Sequence, residues 1–344
     1  VGLIIFLGVI IGAFLEQTGG AFAIAEKVLA LIGKKRVTAA MGLIGYVVSI
    51  PVFADSGFLL LHPLNKSLSK KAKLSLAGTA VALGLGLLAS HTMVPPTPGP
   101  IAAAGIIGAD LGLVIGFGIP VSLVALFMAI LFARKYAAST YIDPLGGKEK
   151  EPVAVKVAQR PGALRASIPI LVPILLIILK SVLNPEGDEG DSFLLSVVAF
   201  MGEPVIALLI GVFLCLLLPK KITYEMFSTS GWVGKAVKDA ASIVLITGAG
   251  GIFGQILQDS GIATTLGATL SSWNIGILLP FVLAAALKTA QGSSTVALIT
   301  TASILMPMMA TLGFETEVQK ALVVLSIGAG SSVISHANDS FFWV

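Results

Sequence analysis

The chain has 344 residues, of which 56% are hydrophobic and only 12% are charged, with a net charge of +4 and a mean hydropathy of +0.98. Soluble domains carry about 25% charged residues, so the composition excludes an ordinary soluble protein and indicates an integral membrane protein. The single cysteine, Cys215, excludes an intramolecular disulfide and a thiolate cluster for a metal.

Apolar stretches of the length of membrane helices follow one another along the chain, which favours helices over the short alternating strands of a barrel. They cover residues 1–15, 37–64, 74–109, 112–133, 167–183, 194–218, 240–258, 275–310 and 320–344. Basic connections occur at 34–36, 66–73, 134–166 and 220–238, whereas 184–191 is purely acidic. The positive-inside rule therefore places the basic connections in the cytoplasm and the acidic one outside, so the basic balance does not indicate nucleic-acid binding.

Segment 37–64 has basic connections at both ends, so it cannot cross the membrane once. Pro51 and Gly57 interrupt it near the middle, with Asp55 and Ser56 between them. We predict a re-entrant helical hairpin that enters from the cytoplasm, with an irregular tip that is buried in protein or faces water.

Segment 275–310 begins and ends outside when the crossings are counted along the chain. It is broken in the middle by the polar run Gln291-Gly292-Ser293-Ser294-Thr295. We predict a second hairpin, entering from the opposite face.

Two other stretches carry a Ser-His pair after a glycine-rich run. Ser90-His91 is followed by four prolines between positions 95 and 100, and Ser335-His336 is followed by Asn338-Asp339. Polar, helix-breaking sequence inside an apolar span is costly unless it lines a site. We predict a broken transmembrane helix at each pair.

The two halves of the chain repeat this order, since residues 12–19 parallel residues 254–261 and each precedes a hairpin and a broken helix. With the charge topology above, the halves are inverted, which is typical of secondary transporters. The predicted architecture is an all-α integral membrane protein with inverted-topology repeats, two re-entrant hairpins and two broken helices. Its parts are a first repeat (1–133), a cytoplasmic connecting loop (134–166), linking helices (167–238) and a second repeat (239–344). Both outer ends lie inside apolar stretches, so we expect each repeat to be truncated.

Two carboxylates are candidates for proton coupling, because an acid at membrane depth costs ~2.5–3.5 kcal/mol on insertion scales and usually has a task or a partner. They are Asp55 and Asp339. Asp55 has the alternative role of a helix N-cap. Lys288, just before the second hairpin tip, needs an anion, either a protein acid such as Asp339 or a substrate carboxylate. Its alternative is a snorkelling interfacial lysine.

The remaining polar groups of the breaks suit a hydroxylated or carboxylate ligand, with structural roles in capping, helix packing or bridging a broken helix as the alternatives. His91 can titrate near neutral pH or pack as an ordinary core histidine. The predicted substrate-binding set is Ser56, Gly57, His91, Thr92, Lys288, Gln291, Gly292, Ser293, Ser294, Thr295, Ser335, His336 and Asn338.

The sequences of the two hairpin tips and the two broken helices together resemble the gluconate permease family of gluconate:proton symporters, within the ion-transporter superfamily. The matching stretches are IPVFADSGF at 50–58, SHTMVPPTPGP at 90–100, AQGSSTVA at 290–297 and SHANDSFFW at 335–343. Two positions depart from the family pattern: Lys288 stands where arginine is expected, and Ala54 where an aromatic residue is usual. A lysine lacks the bidentate carboxylate recognition of an arginine.

The resemblance implies proton-coupled uptake of a small hydroxylated carboxylate, such as gluconate, a related sugar acid, glycerate or D-serine, through the inner membrane. It implies a non-enzyme that moves by an elevator-like shift, with no cofactor beyond the coupling proton. The expected partners are this substrate and the lipid bilayer, and a homo-oligomer is suggested by the resemblance alone. The alternatives are a sodium-coupled symporter, a passive channel, and an intramembrane hydrolase that uses Ser335, His336 and Asp339.

Overall fold

The computed structural model describes residues 1–33, 36–144, 160–183 and 193–344, so most of the predicted connecting loop and the acidic run lie outside the described residues. The described part of the chain is helical and contains no strand. Its helices are α1 (Gly2–Gln17), α2 (Gly20–Ile32), α3 (Val37–Ser49), α4 (Ala54–Ala72), α5 (Leu76–His91), α6 (Pro98–Ile107), α7 (Leu111–Lys135), α8 (Ala163–Leu183), α9 (Phe193–Met201), α10 (Pro204–Cys215), α11 (Tyr224–Phe227), α12 (Trp232–Asp259), α13 (Ile262–Ser272), α14 (Leu278–Gln291), α15 (Ser294–Leu305) and α16 (Glu317–Gly330).

Within the described part of the chain, three helical stretches are long and apolar enough to cross a membrane, and two bent pairs raise the number to five. The stretches are Leu111–Ser139, Ala163–Leu183 and Tyr224–Asp259; the pairs are α1–α2, bent by 72°, and α9–α10, bent by 69°. Shorter apolar helices, including α3, α5, α6 and α14, complete the bundle. This confirms the prediction of a helical, multi-pass membrane protein.

The apolar stretch 194–218 is not a single straight helix, because α9 and α10 meet within it at 69°. Pro204 occupies the first turn of α10, where its missing N–H costs nothing, so a new helix begins there. Gly202, before the bend, packs so closely on α8 that an added Cβ would lie 2.4 Å from the Cβ of Lys180. The short helices α2 and α13 were not predicted either, because each follows polar residues that end the apolar stretch before it, Glu16-Gln17-Thr18 and Asp259-Ser260.

The first predicted hairpin is interrupted between Ser49 and Ala54, at Pro51, as expected. Gly57, however, does not interrupt it: the residue lies in the first turn of α4. A Cβ at this position would approach Leu87 Cδ2 to 2.8 Å, so Gly57 permits close packing of α4 on α5. The re-entrant path of the pair relative to a membrane stays a prediction.

The second predicted hairpin is interrupted after α14, at Gly292. Its φ of +86° lies in the region that favours glycine, and a Cβ there would be 2.1 Å from the main-chain oxygen of Asn338. Ser293 then caps α15, its side chain accepting a hydrogen bond from Val296 N at 3.3 Å. The second hairpin tip is thus held against the segment that follows α16.

The first predicted broken helix is interrupted at the expected place, whereas the second ends at Gly330, five residues before the predicted break at Ser335. The first runs as α5 to His91 and resumes as α6 at Pro98, with the prolines in between. The second runs as α16 to Gly330 and continues irregularly until a short 3₁₀ turn, Ser340–Trp343.

The halves share an order of elements. α1 and α12 each end before a left-handed glycine, Gly19 (φ 72°) and Gly261 (φ 73°), and a short helix follows. In the first half α3 packs along α5, where a Cβ on Gly86 would lie 2.1 Å from the oxygen of Gly42. In the second half α14 packs along α16 in the same way, and α1 packs against α12 between the halves.

Candidate functional site

A cavity of about 440 Å³ lies where the two hairpin tips approach the second broken segment. Its volume is in the range of small-molecule sites, about 300–1,000 Å³. It is lined by Phe53, Ala54, Asp55, Ser56, Leu88, His91, Lys235, Asp239, Ser242, Ile243, Ile246, Ser293, Ser294, Thr295, Val296, Asp339, Ser340 and Phe341.

The cavity brings together seven of the residues predicted from sequence. These are Asp55, Ser56, His91, Ser293, Ser294, Thr295 and Asp339. The other predicted residues lie outside its lining: Gly57, Thr92, Lys288, Gln291, Gly292, Ser335, His336 and Asn338.

Two helix N-termini face this cavity. The first turns of α4, from Ala54, and of α15, from Ser294, both contribute to its wall. The first N–H groups of a helix lack intrahelical acceptors, and the helix dipole adds partial positive charge, so such ends attract anions.

Asp55 lies in the first turn of α4, and its carboxylate accepts a hydrogen bond from Ser340 Oγ at 2.7 Å. This bond joins the tip of the first hairpin to the segment that follows α16. The N-cap position of α4 is Phe53, so Asp55 is not the N-cap that the sequence allowed as its alternative role.

His91 ends α5 and is 93% buried in the cavity wall, with its ring centroid 6.0 Å from that of Phe53. Its Nδ1 is buried and has no hydrogen-bond partner among the described residues. Buried polar atoms are nearly always paired, so this atom marks a place where a ligand or water can supply the missing partner.

Lys288 is buried behind the cavity, with 1% of its side chain exposed. Its Nζ lies 2.6 Å from Asp339 Oδ2 and also donates to the main-chain oxygen of Gly292. Asp339 further accepts from Ser335 Oγ at 2.6 Å and from the N–H of Phe341 at 3.2 Å. Of the two anions that the sequence left open for Lys288, the structure thus provides Asp339.

His336 and Asn338 satisfy carbonyls at the end of α14. His336 Nε2 lies 2.8 Å from the oxygen of Thr289, and Asn338 Nδ2 donates to the oxygens of Thr289 and Ala290 at 3.1 and 3.2 Å. These contacts cap a helix C-terminus, whose last carbonyls lack intrahelical donors. A substrate-binding role for either residue stays a prediction. The Ser335 hydroxyl donates its hydrogen bond to Asp339 and not to His336. Ser335, His336 and Asp339 therefore do not form the hydrolase site considered above.

Sequence reasoning missed the contribution of α12 to the cavity. Lys235, Asp239 and Ser242 line it, and their spacing of four and three residues puts them on one helix face. From the sequence, Lys235 was placed only among the basic residues of a cytoplasmic connection. Its spacing from Asp239 and Ser242 could nevertheless be read from the sequence alone. Lys235 Nζ is 3.6 Å from Glu16 Oε1 on α1.

An all-helical, multi-pass membrane fold with a polar cavity at the interruptions of its helices defines a membrane transport protein. The family of GntP permeases matches residues 1–344, and the chain belongs to this family. The protein is therefore a permease and not an enzyme, and the resemblance noted from the four motifs is confirmed.

Relatives cover the whole chain. The chain is 35% identical over 361 residues to the inner membrane permease YgbN of Escherichia coli, spanning all of this chain and 78% of that protein. It is 34% identical over 363 residues to a gluconate permease of Pseudomonas aeruginosa, spanning all of this chain and 76% of the relative. The crystal structure of the Alcanivorax borkumensis YdaH transporter has a similar fold, with a TM-score of 0.51 at 16% identity over 98% of this chain and 75% of that one.

Proposed function

We propose that this permease takes up a small hydroxylated carboxylate of the sugar-acid class together with a proton, across the inner membrane. The substrate class is supported by the name of its Pseudomonas relative, a gluconate permease, and the location by its Escherichia coli relative, an inner membrane permease. The observation that carries the proposal is that two helix N-termini face one polar cavity of about 440 Å³.

In this proposal the first turns of α4 and α15 hold the substrate carboxylate, because both present main-chain N–H groups at a positive dipole end. Ser56, Ser293, Ser294 and Thr295 contact the substrate hydroxyls from the same walls. The unpaired His91 Nδ1 supplies a further polar contact. A hydroxyl donates and accepts hydrogen bonds, so this set suits a polyhydroxylated ligand.

Asp55 is the favoured coupling acid. Its carboxylate shares the cavity with the substrate's carboxylate, and two like charges at one site disfavour each other. Protonation of Asp55 removes this repulsion, so proton and substrate bind together. Asp339, the other candidate, is already neutralised by Lys288 at 2.6 Å and needs no proton to balance its charge.

The proposed cycle uses two re-entrant hairpins from opposite faces in an inverted repeat, moving in an elevator-like shift. Support comes from the shared order of elements in the two halves and from the matching interruptions at Pro51 and Gly292. The charge pattern of the connections also supports opposite orientations of the two halves in the membrane.

The test is uptake of labelled D-gluconate into proteoliposomes, driven by an inward proton gradient without sodium, with unlabelled sugar acids, glycerate and D-serine as competitors. The proposal predicts accumulation above the external concentration and competition by sugar acids. Accumulation only with a sodium gradient would support the sodium-coupled alternative, and equilibration without accumulation would support a channel.

A further inference from the structure

We propose that Lys235 is the cation that attracts and binds the substrate's carboxylate, and that Glu16 competes with the substrate for it. The proposal rests on the function proposed above and assigns its charge specificity to a residue on α12.

The lysines at the cavity differ in whether their charge is free to meet a substrate. Lys288 is 1% exposed, and Asp339 and the oxygen of Gly292 take its hydrogen bonds, so it offers no free charge. Among the described residues that line the cavity, Lys235 is the one lysine or arginine, and 55% of its side chain is exposed.

Acidic side chains outnumber lysines in the cavity lining. Asp55, Asp239 and Asp339 line the same cavity, and the Lys288 charge balances only the last of them. Even with Asp55 protonated, an incoming carboxylate therefore meets Asp239 and needs a cation within reach. Lys235 lies one turn before Asp239 on the same face of α12, with its flexible four-carbon stem at the cavity wall.

Lys235 has an acidic partner on α1. Its Nζ is 3.6 Å from Glu16 Oε1, and half-exposed pairs of this kind contribute little to stability. Glu16 and Lys235 also line a second, smaller cavity that contacts the first hairpin tip at Phe53 and Ser56. Lys235 can thus exchange Glu16 for the substrate by moving its side chain alone.

The exchange predicts opposite effects for two neutral substitutions. Lys235→Gln removes the cation, so the KM for D-gluconate should rise about tenfold. Glu16→Gln removes the competitor, so the KM should fall severalfold. Lys235→Arg keeps the charge and should stay close to the wild type. For Lys235→Gln and Glu16→Gln, the maximal rate per reconstituted protein should change less than the KM.

The experiment measures D-gluconate uptake in proteoliposomes for these variants beside Lys238→Gln. Lys238 is an exposed lysine of α12 outside the cavity lining, so its variant controls for loss of surface charge. An unchanged KM in Lys235→Gln, or a higher KM in both Lys235→Gln and Glu16→Gln, would overturn the inference while gluconate transport by the wild type stands. A wild-type protein that transports no sugar acid would instead overturn the proposed function.

Discussion

Lys288 and Asp339 form a buried ion pair, with Nζ and Oδ2 2.6 Å apart and 1% and 7% of the side chains exposed. The pair joins α14, the first arm of the second hairpin, to the segment after α16. An ion pair removed from solvent is costly to break, because the remaining charge loses its partner.

Removing one member of this pair should destabilise the protein strongly. We expect Lys288→Met or Asp339→Asn alone to lower the free energy of unfolding by about 3–5 kcal/mol, and the double variant to recover most of the loss. Thermal unfolding in detergent measures this effect. Lys320→Met is the control, since Lys320 pairs with Glu317 at the surface and its loss should cost about 0–1 kcal/mol. Equal stability of both single variants and the wild type would contradict a structural role for the pair.

Asp55→Asn should separate binding from coupling. A neutral amide mimics the protonated acid, so exchange of labelled for unlabelled D-gluconate should continue, whereas accumulation driven by a proton gradient should stop. Both rates are measured in the same proteoliposomes. Asp259→Asn, at the exposed end of α12, is the control and should leave both unchanged. Retained proton-driven accumulation in Asp55→Asn would move the coupling role to another acid.

The predictable part of the fold is the part that local sequence chemistry determines. Pro51 and Gly292 interrupt helices because of their own backbone properties, so both hairpin breaks could be predicted. Gly57 was wrongly taken as a break, because its role is to make room for Leu87 on another helix. That contact joins residues 30 positions apart, and no local pattern reports it.

The same distinction applies to the site. The tips contribute Asp55 and Thr295 to the cavity, and their polar runs inside apolar stretches predicted this. Lys235 joins the cavity only because α12 packs against α1 and α15. The ion pair between Lys288 and Asp339 likewise depends on how α14 packs against the segment after α16. From the sequence alone, the anion that pairs with Lys288 could be either Asp339 or the substrate carboxylate.

Gly12 should be intolerant of any side chain. A Cβ at this position of α1 would lie 2.0 Å from the main-chain oxygen of Pro51, at the first hairpin tip. We expect Gly12→Ala to cost about 1–3 kcal/mol of stability and to reduce uptake by displacing the tip. Gly116→Ala, in α7, has no atom within 4 Å of the added Cβ and serves as the control. Similar unfolding temperatures and uptake rates for the two variants would argue against this packing.

The hairpin topology predicts that the two ends of α3–α4 lie on one side of the membrane. In a Cys215→Ala background, Leu31→Cys and Lys71→Cys should both react with an impermeant thiol reagent from the cytoplasmic side only. Both positions are exposed, and the native thiol of Cys215 is buried. Labelling from opposite sides would contradict a re-entrant first hairpin.

The most direct test of the cavity as the substrate site is protection of a thiol placed inside it. Ser242→Cys, in the Cys215→Ala background, puts the thiol on the α12 face that lines the cavity, and Lys238→Cys puts one outside the lining on the same helix. Saturating D-gluconate should slow thiol labelling at position 242 severalfold and leave position 238 unaffected. Equal labelling rates at position 242 with and without D-gluconate, in protein that transports it, would contradict the assignment of the cavity as the binding site.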